Sequence, residues 1–187
     1  MIGYAFCGSF CTFDESFGIL SELKRVGYTD IMPIMSYSAY STDTRFGKCG
    51  EWIEKIEDLC GREIIHTIDE AEPLGPKISL AALIIAPCTG NTLAKLANGI
   101  TDTPVCMAAK AHLRSDRPLL IALASNDAMS ANLSNIGVLL NRKNIYFVPM
   151  KQDEPVKKPH SLVADFASLP ISLEHALKGK QMRKLFI

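Results

Sequence analysis

"IIAPCTGNTLAKLANGITDTPV", residues 84–105, decides the fold. With the preceding residues it opens as "LAALIIA" (80–86), a continuous apolar run of the kind found in strands buried on both faces. It then turns abruptly into the small polar run Pro87, Cys88, Thr89, Gly90, Asn91 and Thr92. Beyond it Leu93, Leu96, Ala97 and Ile100 recur at i, i+3, i+4, i+7, which predicts an amphipathic helix with its apolar stripe on a sheet and its end near Gly99. The order is strand, polar loop, helix.

The same succession repeats along the chain. "IGYAFC" (2–7) reads as a buried strand, "GSFCT" as its loop, and Phe17, Leu20, Leu23 and Val26 as a helix closed by Gly27. "DIMPIMS" (30–36) is a second strand running into "SYSAYSTDT", and Trp52, Ile53, Ile56 and Leu59 form a helical stripe ending near Gly61. "EIIHT" (63–67) is a weaker strand, followed by the proline-bearing "EAEPLGPK", which forbids a long helix. "PLLIALAS" (118–125) and "IYFVPM" (145–150) are further strands. Between them Asn126 or Asp127 is available as a helix cap, and Met129, Leu133, Ile136 and Leu140 make the next stripe. Strands alternating with helices predict an α/β domain, a doubly wound parallel sheet with helices on both faces. One domain over 1–187 is expected, with 151–187 a charged connector and a C-terminal helix.

The composition fits that class. Of 187 residues 48% are hydrophobic and 21% charged, and 20 basic groups balance 20 acidic ones, so nothing points to nucleic acid or a membrane surface. No apolar run approaches the roughly 20 residues of a membrane span, and no secretory leader is evident, so a cytoplasmic protein is expected. Cys7, Cys11, Cys49, Cys60, Cys88 and Cys106 include no CxxC pair, which argues for reduced structural thiols rather than a zinc site or disulfide scaffold. Cys11 and Cys88 fall in candidate binding loops.

In a doubly wound sheet the ligand lies outside the carboxyl ends of the strands, and the polar loops all lie there. Gly8, Ser9 and Thr12 combine close backbone approach, hydroxyls and a helix N-terminus, a set suited to phosphate although neither a GxGxxG nor a Walker loop. Ser36, Ser38, Ser41 and Thr42 form a second hydroxyl-rich loop, which a solvated turn would equally explain. The run from Pro87 to Thr92 offers backbone amides and the Asn91 side chain, with helix capping as the plainer account. Ser125, Asn126 and Ser130 repeat the pattern. Capping explains each loop singly but not all of them together, and a nucleotide-like cofactor accounts for the set. His66 is either an acid or base or a structural residue. His112, with Lys110 and Arg114, either holds an anion or sits on a solvated basic face. No catalytic residue stands out.

The segment "APCTGNTLAKLANGITDTPV", with "CGSFCTFDES" and "ASNDAM...NIGVLLNRKNIYFVP", resembles the homo-oligomeric flavoproteins that include phosphopantothenoylcysteine decarboxylase, peptidyl-cysteine decarboxylases and the flavin prenyltransferases. The resemblance implies a Rossmann-like, flavodoxin-type fold and bound FMN. Gly8, Ser9 and Thr12 would meet phosphate or ribityl oxygens with help from Ser36. Pro87, Cys88, Thr89, Gly90, Asn91 and Thr92 would line the flavin, and Ser125, Asn126 and Met129 would complete the pocket. It also implies a trimer or dodecamer. Within the family the details fit flavoprotein-like oxidoreductase subunits of spore-forming bacteria that work with a separate dehydrogenase-like A subunit on a small ring dicarboxylate; the alternatives are a stand-alone flavin-dependent decarboxylase or prenyltransferase, or a non-catalytic subunit that stabilises its partner. Lys110, His112 and Arg114 are then the candidates for meeting substrate carboxylates, because a dianion needs compensating cations.

Overall fold

The computed structural model describes residues 1–187. Strands β1 (Ile2–Phe6), β2 (Ile31–Met35), β3 (Leu83–Cys88), β4 (Leu119–Ser125), β5 (Ile145–Phe147), β6 (Met150–Lys151) and β7 (Leu162–Ala164) form one sheet. The helices are α1 (Phe13–Arg25), α2 (Tyr37–Ser41), α3 (Cys49–Cys60), α4 (Ile68–Ala71), α5 (Gly90–Asn98), α6 (Pro104–Leu113), α7 (Leu133–Leu140) and α8 (Leu169–Leu177). Strands β2, β1, β3, β4 and β5 lie side by side in that order and all run parallel, the 2-1-3-4-5 order of a flavodoxin-type sheet. The order reverses between β1 and β3.

Helices cover both faces because successive strand residues point to opposite sides. Leu83, Ile85, Leu119 and Ile121 join one core of 27 buried residues with α5, α6 and α7. Ile84, Leu120 and Ala122 join a second core of 24 with α1, α3 and α8. The alternation breaks once. Ile85 pairs with Ile121 but Cys88 with Leu123, so β3 carries one extra residue there, a bulge. The extra residue turns the Cys88 side chain into the same core as Ile85.

Helix α1 is fixed to this edge from below. The hydroxyl of Ser16 donates to the Ala86 carbonyl at 2.6 Å and the buried Tyr4 hydroxyl reaches Ser16 at 3.0 Å, so the helix start, β1 and β3 move as a unit.

Several elements differ from the expectations. Residues 63–67 form no strand; Ile65 makes a single bridge to Ile34, with bonds to Pro33 and Met35, at the outer edge of β2. Neither Asn126 nor Asp127 caps α7, which starts at Leu133 after a turn that Asp127 organises, and its buried positions are Ile136 and Leu139 while Leu133 is 51% exposed. The connector after Met150 contains β7, which runs antiparallel to the upper end of β4 where the short β5 has ended. Helix α8 stops at Leu177, and the basic residues after it return along Met150 through Leu185 and Ile187.

His112, on α6, is fully buried; its Nε2 lies 2.9 Å from the Pro118 carbonyl and its Nδ1 has no partner. Burial is the main cause that lowers its pKa, with Arg117 adding to the effect and the Pro118 bond opposing it. The fold therefore favours neutral imidazole, so its contribution is complete above the unfolded value of about 6.5 and is lost as pH falls through the folded value. Thermal unfolding should show a melting temperature that declines from pH 7 towards pH 5, and His112→Leu should flatten that decline; an unchanged slope rejects the assignment.

Candidate functional site

The carboxyl ends of β1 and β3 are locked together where the strand order reverses. The amide of Cys7 donates to the Pro87 carbonyl at 3.1 Å, and Thr92 donates its hydroxyl to the Cys7 sulfur at 3.4 Å. The loops Gly8–Thr12 and Cys88–Thr92 are thereby held side by side.

Thr89 caps α5: its hydroxyl accepts from the Thr92 amide at 3.2 Å and donates to the Thr92 hydroxyl at 3.1 Å. The amides of Gly90 and Asn91 open this nine-residue helix and have no intrahelical acceptor, so they face outward with the positive end of the helix dipole. The Asn91 side chain is exposed beside them. Gly90 is required by packing: a Cβ there would press on Ser125 Oγ and lie 2.6 Å from Asp127 Oδ1 and 2.7 Å from Asn132 Nδ2. Those three side chains form a network in which Ser125 and Asn132 both donate to Asp127, the latter at 2.9 Å. The hydrogen bond from Ser125, then that from Asn132, outweighs burial and holds the Asp127 carboxyl below the usual range.

The loop after β1 is equally committed. Thr12, 7% exposed, donates its hydroxyl to the Ser9 carbonyl at 2.9 Å, while the Ser9 side chain makes no capping bond. A Cβ on Gly8 would lie 2.8 Å from Ser38 Oγ, so glycine lets this backbone pass the second loop. Ser36 caps α2 by accepting from the Ala39 amide at 3.3 Å and lies 3.2 Å from the Ser38 hydroxyl.

The residues singled out in the four loops are thus brought to one edge, but not all as ligating side chains. Cys88 is fully buried, its thiol pushed well above the usual range by burial, so only its backbone faces the site. Burial likewise pushes Cys7 up to about 12. Met129 packs against the core, while its amide donates to the His160 carbonyl at 2.9 Å. Cys11 and Asn126 are exposed.

Lys110, His112 and Arg114 are not at this edge. They lie in the last turn of α6 and just after it, where the chain returns to the start of β4. Lys110 and Arg114 line a separate cavity of ≈ 380 Å³ with Leu96, Ile100 and Arg142. His112 is inside the core. Sequence proximity grouped the three, but helical geometry points His112 inward and the two cations outward. His66 sits beyond β2, its ring stacked on Tyr40 at 3.9 Å between centroids.

Sequence reading took Asp127 only as a candidate helix cap and missed Asn132, Asp153, Lys158 and Ser161. The signal for Asp127 was present in "SNDAMSAN", an Asp flanked by hydrogen-bonding side chains at a strand end. The other group becomes visible only once β7 folds residues 153–161 back over β4.

The fold and site define a flavodoxin-type α/β protein whose strand-end edge is lined by backbone amides and small polar loops. The chain belongs to the Flavoprotein family, whose model matches residues 1–166. It is similar to the dipicolinate synthase B subunit of Bacillus subtilis (strain 168), with 45% identity over 186 residues covering 100% of this chain and 92% of the relative. The crystal structure of the dipicolinate synthase B subunit from Bacillus halodurans C superposes with a TM-score of 0.90 at 41% identity, covering 100% of this chain and 95% of that one. The FMN-dependent cysteine decarboxylase SpaF shares the fold, with a TM-score of 0.71, 23% identity and coverage of 94% and 95%. No helix is long and apolar enough to cross a membrane.

Gly90→Ala should lower unfolding free energy by about 1–3 kcal/mol, because the network around Asp127 has to move. Thr89→Ala should cost about 1 kcal/mol through loss of the cap. Urea denaturation measures both; a neutral Gly90→Ala would show that the close approach places no demand on residue 90.

Proposed function

We propose that this chain is an FMN-binding oxidoreductase subunit that works with a dehydrogenase-like A subunit to convert dihydro- or tetrahydrodipicolinate to dipicolinate during sporulation, in the mother-cell cytoplasm. The observation carrying the cofactor half is the locked β1/β3 edge, where Gly8 and Gly90 permit close backbone approach and the Gly90 and Asn91 amides have no intrahelical acceptor. Membership of the Flavoprotein family and 45% identity to the dipicolinate synthase B subunit of Bacillus subtilis support the reading.

The donor set fits FMN. A phosphate and a ribityl chain need many donors of modest strength, and this edge supplies amides, the free Ser9 hydroxyl and the exposed Asn91 amide. Ser9, with the backbone of Gly8 and Thr12 and the neighbouring Ser36, serves the polar chain. Pro87, Cys88, Thr89, Gly90, Asn91 and Thr92 would form the wall for the ring, Cys88 through its backbone and Thr92 as the bond that holds the wall to Cys7. Ser125 and Asn126 close the far side, with Met129 supporting them from the core. Bound flavin supplies a two-electron acceptor. The protein residues hold it in register, and the Asp127 network keeps that wall rigid.

The edge is open in a single chain, which fits further subunits covering the ligand in a homo-oligomer, a trimer or a dodecamer. Purified protein should show flavin absorption, or take it up when FMN is added, and Asn91→Ala should weaken retention by about ten-fold, the worth of one good hydrogen bond. A colourless protein that takes up no FMN rejects the proposal.

A further inference from the structure

A crevice of ≈ 80 Å³ lies between Ser9 and Thr12 after β1, Ser125 and Asn126 at the end of β4, and Asp153 and Lys158 of the segment before β7. It has the volume of a few waters, room for one small oxyanion but not for a ring. The crevice has one lining cation, Lys158.

Counting donors shows what it can receive. The Thr12 hydroxyl is given to Ser9, and that of Ser125 to Asp127. Asn126 Oδ1 lies 3.4 Å from the Ser161 oxygen, whose one proton goes to the nearer Asp153 carboxylate, and the Asn126 amide N–H groups have no partner. Ser9 keeps its hydroxyl. Lys158 donates to Asp153 Oδ2 at 2.8 Å, and Ser161 donates to the other oxygen of the same carboxylate. Both oxygens of Asp153 are therefore engaged, and the carboxylate pins the ammonium at the rim with further N–H groups to give. The segment itself is tied down: the His160 carbonyl accepts from Met129, and Gln152 donates to the Pro159 carbonyl at 3.2 Å. Neighbouring cations are occupied elsewhere, Lys151 with Asp165 and Lys157 with Glu154.

We propose that Lys158 is a substrate-positioning residue whose ammonium, with the Asn126 amide, receives one carboxylate of a small ring dicarboxylate. This rests on the reading of the chain as a flavoprotein subunit acting on such an acid. On that reading Ser36 and Ser38, where Gly8 makes its close approach, would hold the cofactor phosphate on the other side of the β1 loop. One carboxylate in the Lys158 crevice sets the ring across the open edge and fixes which face meets the cofactor.

The test is calorimetric titration of the purified protein with pyridine-2,6-dicarboxylate, alongside its visible spectrum. Lys158→Met should weaken binding about ten-fold or more, the worth of one charge-assisted hydrogen bond. Lys158→Arg should stay within about three-fold of the natural chain, a rescue that general disruption of the segment would not give. Flavin uptake should be unchanged in both. Equal affinity in Lys158→Met and the natural chain overturns the proposal, as does an absence of binding by the natural chain at millimolar ligand. Loss of FMN uptake with riboflavin uptake retained in Lys158→Met assigns the residue to the cofactor phosphate and also overturns it. A natural chain that is colourless and takes up no added FMN, but whose dicarboxylate binding still depends on Lys158, rejects the flavin reading and leaves the role of Lys158 standing.

Discussion

The edge depends on the junction between β1 and β3. Parallel neighbours in a 2-1-3-4-5 sheet diverge above their carboxyl ends, because the chain leaves β1 towards one face and β3 towards the other. Here the divergence starts only after Cys7 has bonded Pro87 and Thr92 has reached the Cys7 sulfur. The extra residue in β3 makes that geometry possible: it turns Cys88 into the core and leaves Thr89 free to cap α5. The polar loop is thus a rigid continuation of the sheet.

Rigidity is bought with hydroxyls. Thr12, Thr89, Thr92 and Ser125 all look available in the sequence, yet each donates its hydroxyl proton within the protein, and Ser36 uses its oxygen to cap α2. What remains for a ligand is mostly backbone, together with the half-buried Ser9 and the exposed Asn91 and Asn126. A buried hydroxyl left without a partner would cost about 1–3 kcal/mol, so the internal bonds come first and the ligand meets what they hold in place. The two readings weighed for these loops, capping and ligand binding, are therefore complementary: Thr89 caps the helix, and because it does, the Gly90 and Asn91 amides stay where a ligand can reach them.

Local patterns carried most of this into the sequence. The buried strands at 2–7, 80–86 and 118–125 and the stripe Leu93, Leu96, Ala97 were legible because period and apolarity are properties of neighbours. The loops were legible because small polar residues follow those strands. Long-range features were not. Nothing local marks 162–164 as a strand, since its pairing with Ala124 and Ser125 depends on β5 having ended early. Without β7 the approach of Asp153, Lys158 and Ser161 to Asn126 cannot be foreseen. The same limit misplaced Lys110, His112 and Arg114, whose spacing shows a basic stretch but not that α6 carries it to the opposite edge.

The chemistry of the edge follows from what it cannot do with protons. Cys7 and Cys88 are held as neutral thiols by burial, and Asp127 is held as a carboxylate whose oxygens are already occupied by Ser125 and Asn132. His66 is turned to Tyr40 and the Ile64 carbonyl beyond β2. Such an edge is built to orient a group by hydrogen bonds rather than to take a proton from it. On the proposed reading of the chain, a ring oxidised at this edge would pass its proton to solvent, to its own carboxylate or to another subunit, because the thiols and Asp127 here are not free to take it.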